Sequence, residues 1–233
     1  MNFAQGEEGQ PTLLSLDDAR TLFHEFGHGL HGLLSEVTYP SLSGTSVPRD
    51  FVELPSQLFE HWLTTPEVLQ RFALHHVTGK PMPQKLTERL KKARNFNQGF
   101  STVEYVASAL VDMELHALTD ADTLDVGAFE RATLDKLGMP SEIVMRHRIP
   151  HFLHIVGGYA AGYYSYMWSE VMDADAFAAF EEAGDPFDGA TAKRLKKYIY
   201  SAGNVRDPLE AYLAFRGRPP EISGMLKKRG LAN

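Results

Sequence analysis

SLDDARTLFHEFGHGLHGLL, residues 15–34, carries the strongest structural signal in the chain. Apolar residues recur with helical period from Leu22 to Leu34, which indicates an amphipathic helix. Ser15 followed three residues later by Asp18 fits a capping box, so the helix is predicted to begin there. The histidines of the segment therefore lie on a helix.

The composition bounds what the chain can do. It has 233 residues, 43% of them hydrophobic, with no cysteine and a net charge of −7. The absence of cysteine excludes disulfides and thiolate metal ligands, so a metal would be held by His, Asp or Glu. The negative charge argues against nucleic acid as a partner, and the two basic runs, residues 85–94 and 193–197, are predicted to be solvated helix faces. No apolar run approaches the ~20 residues of a membrane span, so no membrane association is expected.

Helical periodicity continues through most of the chain, and strand signals are nearly absent. We therefore predict a mainly α fold in a single domain, residues 1–233, with at most a short strand or hairpin in the Ser- and Gly-rich segment 37–50. After the first helix, helices are predicted at about 51–63, 66–78, 83–117, 127–138, 141–148, 160–184, 190–202 and 207–215.

His24, Glu25 and His28 fit the pattern H-E-x-x-H. Residues four apart on a helix lie on one face, so both imidazoles can reach one ion, and His with Glu suits zinc. Glu25 is rotated off that line and can act as a base beside the metal. The alternative is a chance occurrence of these residues on an ordinary helix.

A catalytic zinc site needs a third protein ligand. His31 lies on nearly the same helix face, but three ligands on one rigid helix are hard to arrange around a tetrahedral ion. Glu36 would need a chain reversal. Glu53 follows a turn-rich loop and opens the next helix, where an antiparallel return could bring it to the histidines; a helix N-terminal acid favoured by the dipole is an equally good interpretation.

These residues resemble the thimet oligopeptidase and dipeptidyl carboxypeptidase family of zinc peptidases, and the bacterial dipeptidyl carboxypeptidase branch in particular. The family has H-E-F-G-H and, twenty-five residues later, a Glu within D-F-V-E-x-P-S-Q. Here residues 24–28 read HEFGH and residues 50–57 read DFVELPSQ. The resemblance implies a zincin-like helical catalytic domain with one Zn²⁺ per chain, held by His24, His28 and Glu53, and Glu25 as catalytic base.

Residues 154–170, HIVGGYAAGYYSYMWSE, are similar to the family's glycine-rich loop and tyrosine run. The resemblance implies that His154, Tyr159 and Tyr166 position substrate and stabilise the oxyanion. A phenol can donate to that charge, and the glycines would let the tyrosines move in when substrate binds. The alternative is an aromatic helix face in the core, where we expect Tyr163 and Tyr164.

The resemblance extends over nearly the whole chain, although family members are much longer. It implies the C-terminal catalytic region of that architecture, a cytoplasmic location, and a substrate channel completed by an N-terminal region or a second chain. The expected activity is hydrolysis of oligopeptides with release of C-terminal dipeptides. Endopeptidase action and a non-catalytic zinc-containing peptide-binding role are the alternatives. Arg49 and Arg206 are weak candidates for binding a substrate carboxylate.

Overall fold

The computed structural model describes residues 2–232 and is mainly α-helical, as predicted. Within those residues the one β feature is an isolated antiparallel bridge between Leu74 and Pro81, so residues 37–50 contain no strand. No helix of the described part is both long and apolar enough to cross a lipid bilayer. The α-helices are α1 Leu16–Leu33, α2 Arg49–Val52, α3 Leu54–Leu63, α4 Pro66–Phe72, α5 Gln84–Ala93, α6 Gln98–His116, α7 Val126–Lys136, α8 Ser165–Glu182, α9 Gly189–Leu195, α10 Pro208–Arg216 and α11 Ile222–Lys228. Short 3-10 helices span Pro40–Leu42 and Ile149–His151, and a π-helix, Lys196–Tyr200, continues α9.

Helix α1 begins at the predicted capping box. The Asp18 backbone N–H donates to the Ser15 hydroxyl at 3.0 Å, and the Ser15 N–H donates to the Asp18 carboxylate at 2.9 Å. Two N–H groups at the helix start, which lack partners within the helix, are satisfied in this way. The first turn of α1 is therefore fixed by local sequence.

Helices α1 and α3 pack closely because Gly27 has no side chain. A Cβ at Gly27 would lie 2.6 Å from the Ser56 Cα and 2.8 Å from the Pro55 carbonyl oxygen. A side chain at position 27 would therefore force α1 and α3 apart. The contact brings the start of α3 against the middle of α1, where the two histidines lie.

Two hydrophobic clusters build the interior. The first joins α1, α3, α8, α9 and α10 around side chains such as Leu58, Phe180 and Tyr212. The second joins α6, α7 and the segment preceding α8 around Phe152 and Ile155. Helix α8 contributes to both, with Met172 in the first and Tyr166 packed against the second.

Several predicted helix boundaries are wrong, each for a local reason. The predicted helix 66–78 ends at Phe72, and the chain then turns so that Leu74 pairs with Pro81. The helix predicted over 83–117 divides into α5 and α6, because Asn97 adopts a left-handed conformation at φ 55°. Residues 141–148 are not helical, and their end is fixed by an N–H···O bond of 3.1 Å from Ile149 to the Glu130 carboxylate.

Two further differences concern α8 and α11. Helix α8 begins at Ser165 rather than near residue 160, because the N–H groups of Ala161 and Tyr163 bind the Asp112 carboxylate instead of helical carbonyls. Helix α11 is not among the predicted helices. It packs on α8, and Arg229, the residue that caps its C-terminus, forms an ion pair with Glu170.

Candidate metal centre

His24 and His28 lie one turn apart on α1 and turn their rings toward the same point. Their ring centroids are 4.9 Å apart with an interplanar angle of 86°. Both side chains are partly exposed, so solvent reaches them. The helical spacing of the motif therefore produces the convergence that the sequence predicts.

The residue that completes the cluster is Glu53, at the junction of α2 and α3. Pro55, which lacks an N–H, follows it in the first turn of α3, and Glu53 forms the cap shared by both helices. Its side chain is buried, and its Oε2 lies 3.2 Å from Nε2 of His24 and 3.2 Å from Nε2 of His28.

These distances fit a tetrahedral metal ion. Ligand atoms on an ion with bonds of about 2.0–2.1 Å lie ~3.3 Å from one another. The candidate ligand atoms of His24, His28 and Glu53 all lie within 4.8 Å of one another. Two imidazole nitrogens and one carboxylate oxygen are donors typical of a catalytic zinc site with an open fourth position. The residues present therefore suit Zn²⁺.

The far side of His24 is held by Glu60, a residue that the sequence reasoning missed. Nδ1 of His24 lies 2.8 Å from Oε1 of Glu60. This contact fixes the orientation of the ring, and with a proton on Nδ1 facing the carboxylate, Nε2 would be the ligand atom when a metal is bound. Glu60 lies seven residues after Glu53, two turns along α3, and this spacing could have identified it. Nδ1 of His28 is buried and has no hydrogen-bond partner in the part of the chain that the structure describes.

The electrostatics keep Glu53 ionised. Burial alone would raise its pKa, but hydrogen bonds from His24, His28 and Tyr159 hold the pKa well below its usual range. Burial would likewise lower the pKa of His24, but the hydrogen bonds and charges of Glu53 and Glu60 outweigh it and raise the pKa to about 9. The cluster therefore presents an anionic carboxylate toward the two rings.

His31, the alternative third ligand, is turned away from this cluster. Its side chain is fully buried, and the ring meets Tyr200 edge-on at 6.4 Å. Neither ring nitrogen has a hydrogen-bond partner within residues 2–232. Burial lowers its pKa to about 4, so the ring is neutral at physiological pH. The structure groups Glu53, and neither His31 nor Glu36, with the two histidines; Glu36 instead pairs with Lys196 at 3.3 Å.

Glu25 is exposed and follows His24 directly on α1. It is not part of the ligand cluster. Its role as a base beside the metal therefore stays a prediction of the motif.

An aromatic cluster stands beside the Glu53 carboxylate. The Tyr159 hydroxyl donates to Oε1 of Glu53, and the ring of Tyr159 stacks on that of Tyr166 with centroids 5.2 Å apart. His154 lies edge-on to both rings, 5.7 Å from each. The structure thus brings His154, Tyr159 and Tyr166 together at the candidate metal ligands.

The two neighbouring tyrosines divide between core and surface. Tyr163 is buried in the second hydrophobic cluster, as predicted. Tyr164 is partly exposed, and its hydroxyl donates to Asp50 at 3.1 Å, so its assignment to the core was wrong.

The two candidate arginines lie in different places. The Arg49 guanidinium is 4.7 Å from the centre of the Tyr159 ring, at the edge of the aromatic cluster. It forms no ion pair among the described residues. Arg206 lies over Tyr198 at 5.7 Å, in the loop just before α10.

A polar cavity of about 490 Å³ adjoins the candidate ligands through Glu60. Its walls come from α1, α3, α8, α11 and the junction of α5 and α6, and they carry charges of both signs, most of them paired. Examples are Lys228 with Asp173 at 2.9 Å and Arg229 with Glu170. On this side the surface beside the ligands is therefore polar and nearly charge-balanced.

The chain belongs to peptidase family M3, whose sequence model matches residues 1–231, so the resemblance read from the motifs is confirmed. It is 43% identical over 237 residues to the dipeptidyl carboxypeptidase of Escherichia coli strain K12, covering 99% of this chain and 34% of that protein. It is 40% identical over 236 residues to oligopeptidase A of the same organism, covering 99% and 34%. A thimet-like oligopeptidase of Dictyostelium discoideum is 34% identical over 233 residues, covering 99% and 34%. The chain thus spans about a third of the length of these relatives.

Proposed function

We propose that this chain is a zinc-dependent peptidase catalytic domain, residues 1–233, that binds one Zn²⁺ through His24, His28 and Glu53. The observation that carries the proposal is the convergence of both Nε2 atoms on Glu53 Oε2, each at 3.2 Å. An exposed Glu25 and a cluster of phenols border that point. A structural zinc site would be closed by a fourth protein ligand, and none joins the cluster among the described residues.

Bound Zn²⁺ would supply Lewis-acid polarisation of the scissile carbonyl and make water more acidic. The Glu25 carboxylate takes a proton from the attacking water and passes it to the leaving amine. Glu60 holds the ring of His24 through Nδ1, so that Nε2 keeps its direction. These roles follow from position: His24 and His28 lie on one face of α1, Glu25 lies just off that face, and Glu60 lies behind His24.

Tyr166 and Tyr159 are proposed to donate to the oxyanion that forms on the scissile carbonyl. Burial raises the pKa of both phenols above the usual tyrosine range, and the neighbouring Glu53 carboxylate raises it further. Both hydroxyls are therefore protonated donors at neutral pH, as this role requires. Tyr159 donates to Glu53 in this structure, so it must exchange that bond to reach a substrate. His154 is partly buried, burial lowers its pKa, and its neutral ring packs the two phenols together.

The substrates are proposed to be oligopeptides, with release of C-terminal dipeptides. One relative is named a dipeptidyl carboxypeptidase, and two others are oligopeptidases. Exopeptidase action requires a cation for the free carboxylate of the substrate. Arg49 supports this mode, because it lies at the edge of the aromatic cluster without an ion-pair partner among the described residues.

The test is cleavage of an unblocked ten-residue peptide and its C-terminally amidated twin by the zinc-loaded chain, followed by mass spectrometry. We expect stepwise loss of dipeptides from the free acid alone, abolished by a chelator and by Glu25→Gln. Arg49→Gln should raise KM for the free-acid peptide with little change in kcat. Glu67, an exposed acid on α4, provides the control substitution Glu67→Gln, which should leave turnover unchanged.

Other outcomes separate the alternatives. Internal cleavage of both peptides would replace the exopeptidase assignment with an oligopeptide endopeptidase. Peptide binding without cleavage, in a chain shown to hold zinc, would establish a non-catalytic binding role. Full activity of Glu25→Gln would refute the role of Glu25.

A further inference from the structure

Asp112 is a fully buried carboxylate on α6. Its hydrogen-bond partners among the described residues belong to the tyrosine segment or to α6 itself. Its Oδ1 accepts the Ala161 backbone N–H at 3.0 Å, and its Oδ2 accepts that of Tyr163 at 2.9 Å. Nδ1 of His116, one turn along α6, lies 2.8 Å from Oδ1. A buried carboxylate is tolerated only when its oxygens are satisfied in this way. The side chain therefore ties residues 161–163 to α6.

A second residue of α6 holds the same segment further along. The Tyr105 hydroxyl donates to the Tyr163 carbonyl oxygen and accepts the Met167 N–H at 3.3 Å. Asp112 and Tyr105 thus bind four backbone groups within residues 161–167. Such bonds substitute for the helical ones that would form if α8 began earlier.

We call the bonds between Asp112 and residues 161–163 the clamp. The first residue of this segment is held in an uncommon conformation. Ala161 has φ 51°, in the left-handed region that residues with a Cβ rarely adopt. Such conformations persist when the surroundings fix them. The bond from Ala161 to Asp112 is the contact that fixes this one.

We propose that Asp112 is a positioning residue, which holds residues 161–163 against α6 and thereby places the Tyr159 and Tyr166 phenols beside Glu53. Tyr159 lies two residues before the clamp and Tyr166 three residues after it. Tyr163, inside the clamp, packs against the ring of Tyr166 at 5.6 Å. The backbone flexibility of the glycine-rich segment is then confined to residues 157–158, which are exposed and precede Tyr159. The catalytic consequence rests on the proposed function, whereas the clamp does not.

The test compares Asp112→Asn with the matched control Glu130→Gln. Asparagine keeps the size of the side chain but places an NH₂ group against one of the two backbone N–H donors. Glu130 is likewise a buried carboxylate that accepts a backbone N–H, from Ile149 at 3.1 Å, but it does not bind residues 161–167. Tyr105→Phe, which deletes only a hydroxyl, provides a milder second variant should Asp112→Asn fold poorly.

Four quantities are measured on the full chain: amide hydrogen exchange by segment, zinc affinity, the cleavage constants kcat and KM, and the affinity for a phosphinic peptide. The phosphinate group of that peptide mimics the tetrahedral oxyanion. In Asp112→Asn, residues 159–167 should exchange faster while residues 16–33 and the zinc affinity stay unchanged. Turnover kcat and phosphinic peptide affinity should each fall about 10- to 100-fold, with KM within about twofold. Glu130→Gln should change none of these beyond about twofold.

The results distinguish this proposal from the function on which it rests. Unchanged exchange of residues 159–167 in both Asp112→Asn and Tyr105→Phe would overturn the clamp. Faster exchange with unaltered kcat and phosphinic peptide affinity would overturn the positioning role. If the wild-type chain holds zinc but neither cleaves peptides nor binds the phosphinic peptide, the proposed function fails, and the catalytic consequence fails with it. The exchange data would then decide the clamp alone.

Discussion

Gly27→Ala is the substitution that most sharply probes how the fold builds the candidate site. The new Cβ would lie 2.6 Å from the Ser56 Cα, about 0.8 Å short of the 3.4 Å at which ordinary contact begins. Both close neighbours, Ser56 Cα and the Pro55 oxygen, are backbone atoms that cannot rotate away. Helices α1 and α3 must therefore separate, and α3 carries Glu53 at its start.

The free energy of this change can be estimated from two opposing effects. Alanine in a helix interior is favoured over glycine by about 1 kcal/mol. Overpacking an interior typically costs about 1–3 kcal/mol, and the rigid neighbours place this site at the upper end. We expect a net loss of about 1–2 kcal/mol in unfolding free energy, measured by urea denaturation with an unchanged m-value.

Gly29→Ala, two residues along the same helix, is the matched control. Its Cβ would meet only the Phe26 ring, at 3.9 Å. The same substitution there should stabilise the chain by up to about 1 kcal/mol. Opposite signs at positions 27 and 29 would attribute the effect to the helix crossing rather than to helix propensity.

The metal site should respond to Gly27→Ala as well. Zinc sites tolerate ligand displacements of about 0.2 Å, far less than the required separation of the helices. Zinc affinity, measured by competition with a chelator, should fall about tenfold or more. A Gly27→Ala chain with wild-type stability and zinc affinity would refute the proposed dependence of Glu53 on this contact.

Three other predictions concern separate parts of the molecule. Glu60→Ala should weaken zinc binding about 10- to 100-fold, because it releases Nδ1 of His24. Glu60→Gln should weaken zinc binding less, because its amide oxygen can still accept a hydrogen bond from Nδ1. If both variants have wild-type zinc affinity in a chelator competition, this prediction is wrong. Ala161→Gly should raise the unfolding free energy by up to about 1 kcal/mol, since glycine adopts φ 51° without strain; a loss of stability in urea would argue against strain there. Burial would raise the pKa of Asp173, but Lys228 and His61 lower it. The ionised carboxylate therefore stabilises the fold above its unfolded pKa of about 3.9. This contribution is lost as the pH falls through the lower pKa of the folded state. Urea titrations from pH 6 to pH 3 should show a steeper acid loss for wild type than for Asp173→Asn, and parallel curves would exclude the effect.

Local sequence was sufficient to predict some features of the structure. The capping box at Ser15 and the apolar period of α1 are determined within one segment, and the structure shows both. The four-residue spacing of His24 and His28 likewise fixes their shared face. The mainly α character follows from the same periodicity over the rest of the chain.

Other features depend on contacts between residues far apart in the sequence. Asp112 binds residues about fifty positions away, and no pattern around it reveals that partnership. Helix α8 begins late for the same reason, because Asp112 takes the N–H groups of Ala161 and Tyr163. The grouping of Glu53, rather than His31, with the histidines depends on the close crossing at Gly27.

X-ray absorption at the zinc edge of the zinc-loaded chain, with the metal content measured on the same sample, tests the central claim most directly. The arrangement of His24, His28 and Glu53 predicts one zinc per chain with two imidazole nitrogens and oxygen ligands at about 2.0–2.2 Å. The Glu53→Ala chain should lose that zinc in mild chelator. Three imidazoles around the ion would indicate His31 as the third ligand, and a chain that binds no stoichiometric zinc would contradict the account.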